Sequence, residues 1–211
     1  MRKNLKKYLL TMLATSLSLV VLVGCTSSKN NGKKEGSTEN LPIATIKIKD
    51  YGNIEAELYP DIAPNTVNNF ISLANDGFYN NLTFHRIIEG FMIQGGDPEG
   101  TGVGGPGYSI KGEFKSNGFE NNLKHEKGVL SMARTNDPNS AGSQFFIMTE
   151  DASHLDGQYA AFGKVISGID VLEKVEKVET DSNDKPKTDV IIESITVDTK
   201  GEKYNKPEKS K

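Results

Sequence analysis

The sequence holds one cysteine, three histidines and no tryptophan. A lone thiol forms no intrachain disulfide, so packing rather than cross-linking must hold the fold. Cys25 stands near the amino terminus and no thiol follows it. That excludes a cysteine nucleophile, a thiolate zinc site and an iron–sulfur cluster from the body of the chain. His85, His125 and His154 are scattered without ligand spacing, so neither a metal nor any other cofactor is expected. Basic surplus is also missing. Of 25 Lys and Arg, four (Arg2, Lys3, Lys6, Lys7) fall in the first 24 residues, where there is no acid. Without those four, 21 bases face 28 acids, a formal charge of −7, which argues against nucleic acid as a partner. The one long apolar stretch, Tyr8 to Val23, is shorter than the roughly 20 residues a membrane-spanning helix needs.

A basic start, a short apolar core and a small residue before a cut form the pattern of an export signal. Leu22-Val23-Gly24-Cys25 resembles the lipobox of bacterial lipoproteins. The resemblance implies a signal peptide over residues 1–24, cleavage before Cys25, and diacylglycerol on the Cys25 thiol. Two or three acyl chains, each burying about 0.8 kcal/mol per CH₂, anchor firmly where one does not. Residues 25–41 follow as a lipidated cysteine and flexible tether rich in Ser, Asn, Gly and Lys. The expected location is the extracytoplasmic face of the cell membrane. Thr26 and a Lys- and Asn-rich composition point to a Gram-positive envelope.

From Ile43 onward the pattern is mainly β. Ala44, Ile46 and Ile48 alternate with polar residues, Asp50 to Asn53 supply a turn, and Ile54, Ala56 and Leu58 resume the alternation, which predicts a hairpin. Pro64 opens a helix with Val67, Phe70, Ile71 and Ala74 on one face, and Gly77 closes it. Short strands are expected around 83–88, 91–94, 129–132, 144–148 and 161–165, then a helix over 169–178 and a strand over 190–197. Residues 199–211 read as a disordered Lys-rich tail. Pattern alone leaves barrel and sandwich both open.

Four segments narrow the choice: 84–97 (FHRIIEGFMIQGGD), 128–133 (GVLSMA), 142–147 (GSQFFI), and 154–157 (HLDG) with 162–165 (FGKV). In this order and spacing they resemble the cyclophilins, over residues 42–198. The resemblance implies a closed eight-stranded antiparallel β-barrel capped by two α-helices, and peptidyl-prolyl cis–trans isomerase activity on X–Pro bonds of exported proteins. Carried over by motif position, Arg86 is the catalytic residue. Phe91, Met92, Phe146 and Leu155 form the proline pocket, Gln94 and the backbone near Arg134 hold the substrate main chain, and Ala133, Gln144 and His154 complete the groove. The expected partners are proline-containing segments of unfolded or exported proteins, together with the membrane, and the chain is expected to act as a monomer. His154 stands where many relatives carry Trp, Tyr159 where His is common and Arg134 where Asn is common, so cyclosporin binding is expected to be weak.

Alternation fits the groove that the resemblance implies. Met92 and Gln94 share one strand face against Ile93, and Gln144 and Phe146 share one against Phe145 and Ile147. A face mixing Gln with Met and Phe makes a poor core but a reasonable pocket floor. Three other readings compete. A non-catalytic binding module would use the same groove only to grip. A hydrolase built on Ser131 or Ser143 lacks a Gly-x-Ser-x-Gly elbow. Residues 102–107 (GVGGPG) match the dinucleotide fingerprint only formally, since no helix follows; a Gly-rich loop beside the groove explains them better.

Overall fold

The computed structural model describes residues 40–210. The expected signal peptide, Cys25 and the expected tether as far as residue 39 therefore lie outside the described residues, as does Lys211. The elements run β1 (Ile43–Ile48), β2 (Gly52–Leu58), α1 (Pro64–Asn75), β3 (Leu82–Ile88), β4 (Met92–Asp97), β5 (Ser109–Ile110), β6 (Val129–Met132), β7 (Phe145–Met148), β8 (Ala161–Ser167), α2 (Ile169–Val175), β9 (Ile191–Asp198) and β10 (Lys209–Ser210). Eight strands close into an antiparallel barrel in the order β1-β2-β8-β6-β7-β4-β3-β9. Closure leaves no open edge in this sheet.

The barrel interior is filled by the inward half of each alternating strand. Ile46, Ile54, Phe84, Ile93, Leu130, Phe145, Ile147, Phe162 and Ile192 are all buried in one cluster. Helix α1 covers this core with Val67, Phe70 and Ile71. Phe70 meets Phe145 edge-on at 5.4 Å and lies 5.2 Å from both Tyr79 and Phe162. Burying each such ring stabilises the fold by about 1.5–3 kcal/mol. Ala63 offers no side-chain cap to α1. The Glu113 carboxylate takes that place from 47 residues away, accepting from the Asn65 and Thr66 N–H groups at 3.0 and 2.8 Å and from the Thr66 hydroxyl at 2.7 Å.

A second apolar cluster sits on the outside of the barrel, made of Met92, Val129, Phe146, Met148, Ala152, Leu155 and Ala161. Strand β7 serves both clusters, Phe145 and Ile147 inward and Phe146 and Met148 outward, which is why all four residues are buried. The groove grows from this outer cluster.

Two expectations need correction. Helix α2 ends at Val175, short of the expected 178. Residues 199–210 are not a disordered tail. They double back, Tyr204 packs against the core, and Lys209–Ser210 pair with Ile110 and Ser109 as a small second sheet. Asn65 of α1 fixes the returning chain through the Glu208 backbone, donating to its C=O at 2.9 Å and accepting from its N–H at 2.7 Å.

Candidate active site

Strand β3 departs from simple alternation at one point. Phe84 pairs with Gly95 and Arg86 with Gln94, so the ladder bulges at His85. The bulge lets Phe84 and Ile87 both turn into the barrel while Arg86 stays outward beside Gln94. His85 is buried, and both its ring nitrogens lack a partner among the described residues. Burial holds its imidazole below the ordinary histidine range.

Arg86, Phe91, Met92, Gln94, Ala133, Arg134, Phe146, Leu155 and Tyr159 enclose a hollow of about 190 Å³. Its floor is the outer cluster, and the guanidiniums of Arg86 and Arg134 stand along its edge. Arg86 is paired through Nε to Asp184 at 3.3 Å, with both side chains partly exposed. Asp184 belongs to a turn held against β3, because the Ile87 N–H donates to its carbonyl at 2.8 Å. Engaging Nε leaves the two terminal amino groups of Arg86 as donors for the hollow. Gln94 donates to the Gln144 carboxamide at 2.9 Å, and Gln144 donates on to the Gly104 carbonyl at 2.9 Å.

A wider hollow of about 470 Å³ adjoins the first and shares Gln94, Ala133 and Arg134 with it. One wall is the loop from Glu99 to Tyr108; the other runs through Thr135, Ser140, Gly142 and Gln144. The first wall is wound around the buried Asp97 carboxylate, which accepts from the N–H groups of Glu99 at 2.8 Å, Thr101 at 3.0 Å and Gly102 at 2.5 Å. Burial alone would raise this carboxyl, but these donors and the Gly104 N–H outweigh it and hold Asp97 below the usual carboxylate range. A Cβ at Gly104 would overlap the carboxylate, so close winding requires glycine there. The nucleotide-like spacing of 102–107 thus serves a loop that clasps its own aspartate.

Behind the floor lies a Ser-His-Asp relay. His125, ring stacked at 6.1 Å on Phe146, contacts the Ser131 hydroxyl at 3.0 Å and Asp156 at 3.2 Å. Burial lowers the His125 pKa against the opposing pull of Asp156, so the neutral ring donates from Nδ1 to Asp156 and accepts at Nε2 from Ser131. Burial alone would raise Asp156, but hydrogen bonds from His125 and Lys124 bring it down. Ser131 is fully buried, and Ser143, also fully buried, spends its hydroxyl on the Gly96 carbonyl at 2.6 Å. Neither serine can meet a carbonyl substrate. The relay stiffens the floor under Phe146.

Of the residues named from sequence, Arg86, Phe91, Met92, Gln94, Ala133, Arg134, Phe146 and Leu155 line the smaller hollow, and Gln144 lines the wider one. His154 stands at the rim, its ring stacked on Phe91 at 5.9 Å. The Arg134 guanidinium lies over Tyr159 at 4.6 Å and Phe114 at 5.0 Å, donating to the carbonyls of Gln158 and Thr135. It braces the wall where the two hollows meet. Tyr159, Asp184, Asp97 and the relay were missed as parts of the site. Tyr159 stands out in the sequence only as an unusual residue, and nothing local marks Asp184, 98 residues from Arg86.

Residues 43–197 match the family described as cyclophilin type peptidyl-prolyl cis-trans isomerase/CLD. The chain belongs to this cyclophilin family. It is 54% identical over 123 residues to peptidyl-prolyl cis-trans isomerase B of Bacillus subtilis, covering 58% of this chain and 82% of that protein. It is 47% identical over 146 residues to a peptidyl-prolyl cis-trans isomerase of Helicobacter pylori, covering 68% and 86%. Several other curated relatives are much longer. The chain spans 27% of peptidyl-prolyl cis-trans isomerase-like 2 of Rhizopus delemar, 50% identical over 150 residues and 70% of this chain. Among solved structures, a Cryptosporidium parvum cyclophilin type isomerase determined in the presence of the dipeptide Ala-Pro superposes with a TM-score of 0.69 at 38% identity, covering 74% of this chain and 98% of that one. The cyclophilin barrel with two helices is therefore the fold of this chain, as the motifs implied.

Proposed function

We propose that this cyclophilin accelerates cis–trans isomerisation of X–Pro bonds in exported proteins, as a foldase anchored to the outer face of the cell membrane through lipid on Cys25. The observation that carries the catalytic part is Arg86 at the edge of a proline-sized apolar hollow floored by Met92, Phe146 and Leu155.

Rotation about the X–Pro bond has a barrier of about 18–20 kcal/mol because amide resonance must be broken. Halfway round, the proline nitrogen turns pyramidal and gains a usable lone pair. A guanidinium fixed beside the ring donates to that lone pair and has far less to donate to in the planar amide. Arg86 presents a planar fork of donors and is oriented by Asp184, which suits this task. A 10⁵-fold acceleration requires about 7 kcal/mol, and one well-placed donor in a site of low dielectric contributes roughly 3–4 of it. Holding the proline ring while the preceding carbonyl swings supplies a further share. The Gln94–Gln144–Gly104 chain keeps polar groups aligned along the groove for the substrate backbone. No acid, base or nucleophile takes part.

The Ala-Pro dipeptide of the Cryptosporidium relative supports proline-containing segments as the ligand class. The export and anchoring parts rest on the lipobox-like 22–25 and the basic, apolar signal before it. Chains emerging from a membrane are unfolded, and slow X–Pro isomerisation limits their folding. NMR exchange on a proline peptide tests the activity. Mass spectrometry of the mature amino terminus tests the anchor, and an unmodified Cys25 would remove it.

A further inference from the structure

The family match ends at residue 197, yet the chain continues, and its last described residues return to the groove. Lys209 pairs with Ile110 and Ser210 with Ser109, directly after Tyr108 in the first wall of the wider hollow. The Lys209 ammonium sits 3.9 Å over the Tyr108 ring. From the other side, the Tyr108 hydroxyl donates to Asn69 of α1 at 2.8 Å, and Asn69 donates to the Gly142 carbonyl at 2.7 Å. The Ser210 hydroxyl lies 3.0 Å from that of Ser109 and 3.2 Å from the Asn139 carbonyl. Asn139 belongs to the turn that carries the second wall, Thr135 to Ser140. Ser210 therefore touches the supports of both walls. Asn65, through two hydrogen bonds to the Glu208 backbone, clamps the segment to a rigid helix.

We infer that residues 202–210 are a strap that sets the spacing of the two walls of the wider hollow, and so determines how strongly the chain binds residues flanking the substrate proline. The inference rests on the proline-groove reading above. Ser210 and Lys209 are positioning residues, since they reach substrate only through Tyr108 and the 135–140 turn. The smaller hollow is walled mainly by β3, β4, β7 and the 155–159 segment and meets the wider one at Gln94, Ala133 and Arg134; the strap's hydrogen bonds reach none of these residues. Strap release should thus act on substrates long enough to enter the wider hollow and spare a minimal one. If the released walls hold the binding arrangement a tenth of the time, apparent affinity for a long peptide falls about tenfold.

The test compares a capped Ala-Pro dipeptide with a proline peptide carrying four residues on each side. It uses three proteins: the full chain, a chain ending at Lys200, and the full chain with Asn65→Ala. Asn65→Ala frees the strap while keeping the backbone N–H that Glu113 caps, so it reports even where the truncated protein folds poorly. The expected result is a five- to twentyfold fall in kcat/KM for the long peptide, carried by KM, with the dipeptide changed less than twofold. Faster amide exchange at Ile110, whose N–H donates to the Ala141 carbonyl, should accompany it. An unchanged long-to-short ratio overturns the strap, and so does an equal loss on both substrates. A full chain that isomerises neither substrate removes the proposed activity instead. NMR titration of the long peptide then decides the strap, with unchanged affinity in the Asn65→Ala protein overturning it.

Discussion

Asp184→Gly separates the orientation of Arg86 from its presence. The pair is 3.3 Å long and each side chain is 42% exposed. Ion pairs of that exposure contribute about 0.2–1 kcal/mol, which corresponds to at most about a fivefold change in the population of the oriented guanidinium. Glycine is the clean replacement because Asp184 has φ 63°, in the left-handed region that glycine enters freely. Its carbonyl still accepts from the Ile87 N–H, so the turn keeps its hold on β3. The expected outcome is a two- to fivefold fall in kcat with KM unchanged, and unfolding free energy within about 1 kcal/mol of the parent. Asp184→Asn should recover most of the loss, since a carboxamide oxygen still accepts from Nε. NMR exchange on a proline peptide across a concentration series gives both constants. An unchanged kcat in the Gly protein would show that Asp184 does not orient Arg86. A loss as large as that of deleting the guanidinium would show that Asp184 acts directly.

Asp97→Asn leaves one oxygen where two accepted several backbone N–H groups. Losing the charge and about two of those bonds should cost about 3 kcal/mol, read as a shifted urea midpoint, with exchange in the 99–104 loop accelerating first. Acid should destabilise the domain in two steps. Burial keeps His85 and His125 below their ordinary value of 6.5, so the unfolded chain binds the extra protons and stability falls as pH drops below about 6.5. Asp97 and Asp156, held below 3.8, add a second fall under about pH 4. Urea midpoints across pH check both steps, and His125→Asn should shrink the first. Cys25→Ala should move the protein from the membrane fraction to the soluble one, since the acyl chains are the proposed anchor.

The strands were legible wherever one face is apolar and the other is not. In 144–148 the alternation already separated Phe145 and Ile147 from Gln144 and Phe146, and the two sets occupy opposite sides of the barrel wall. Motif order then supplied Arg86 and the floor of the smaller hollow, which local patterning alone could not rank above ordinary core residues. What stayed hidden was long-range and polar. Asp184 reaches Arg86 only after the barrel closes, and period-two reading has no place for the bulge at His85 that aims it. Asp97 lies beyond the expected strand 91–94, and its role depends on a loop folding back onto it. The segment 199–210 carries no apolar periodicity, and backbone pairing, Asn65 and one tyrosine face hold it, so composition suggested disorder.

The Arg86→Ala protein, assayed by NMR exchange on a proline peptide beside the parent chain, bears most directly on the account. Loss of a donor that acts only in the twisted state should lower kcat by about 10²–10³-fold and leave peptide affinity within a few-fold, because Met92, Phe146 and Leu155 remain. Isomerisation at the parent rate in that protein would contradict the central claim, whatever the peptide's affinity.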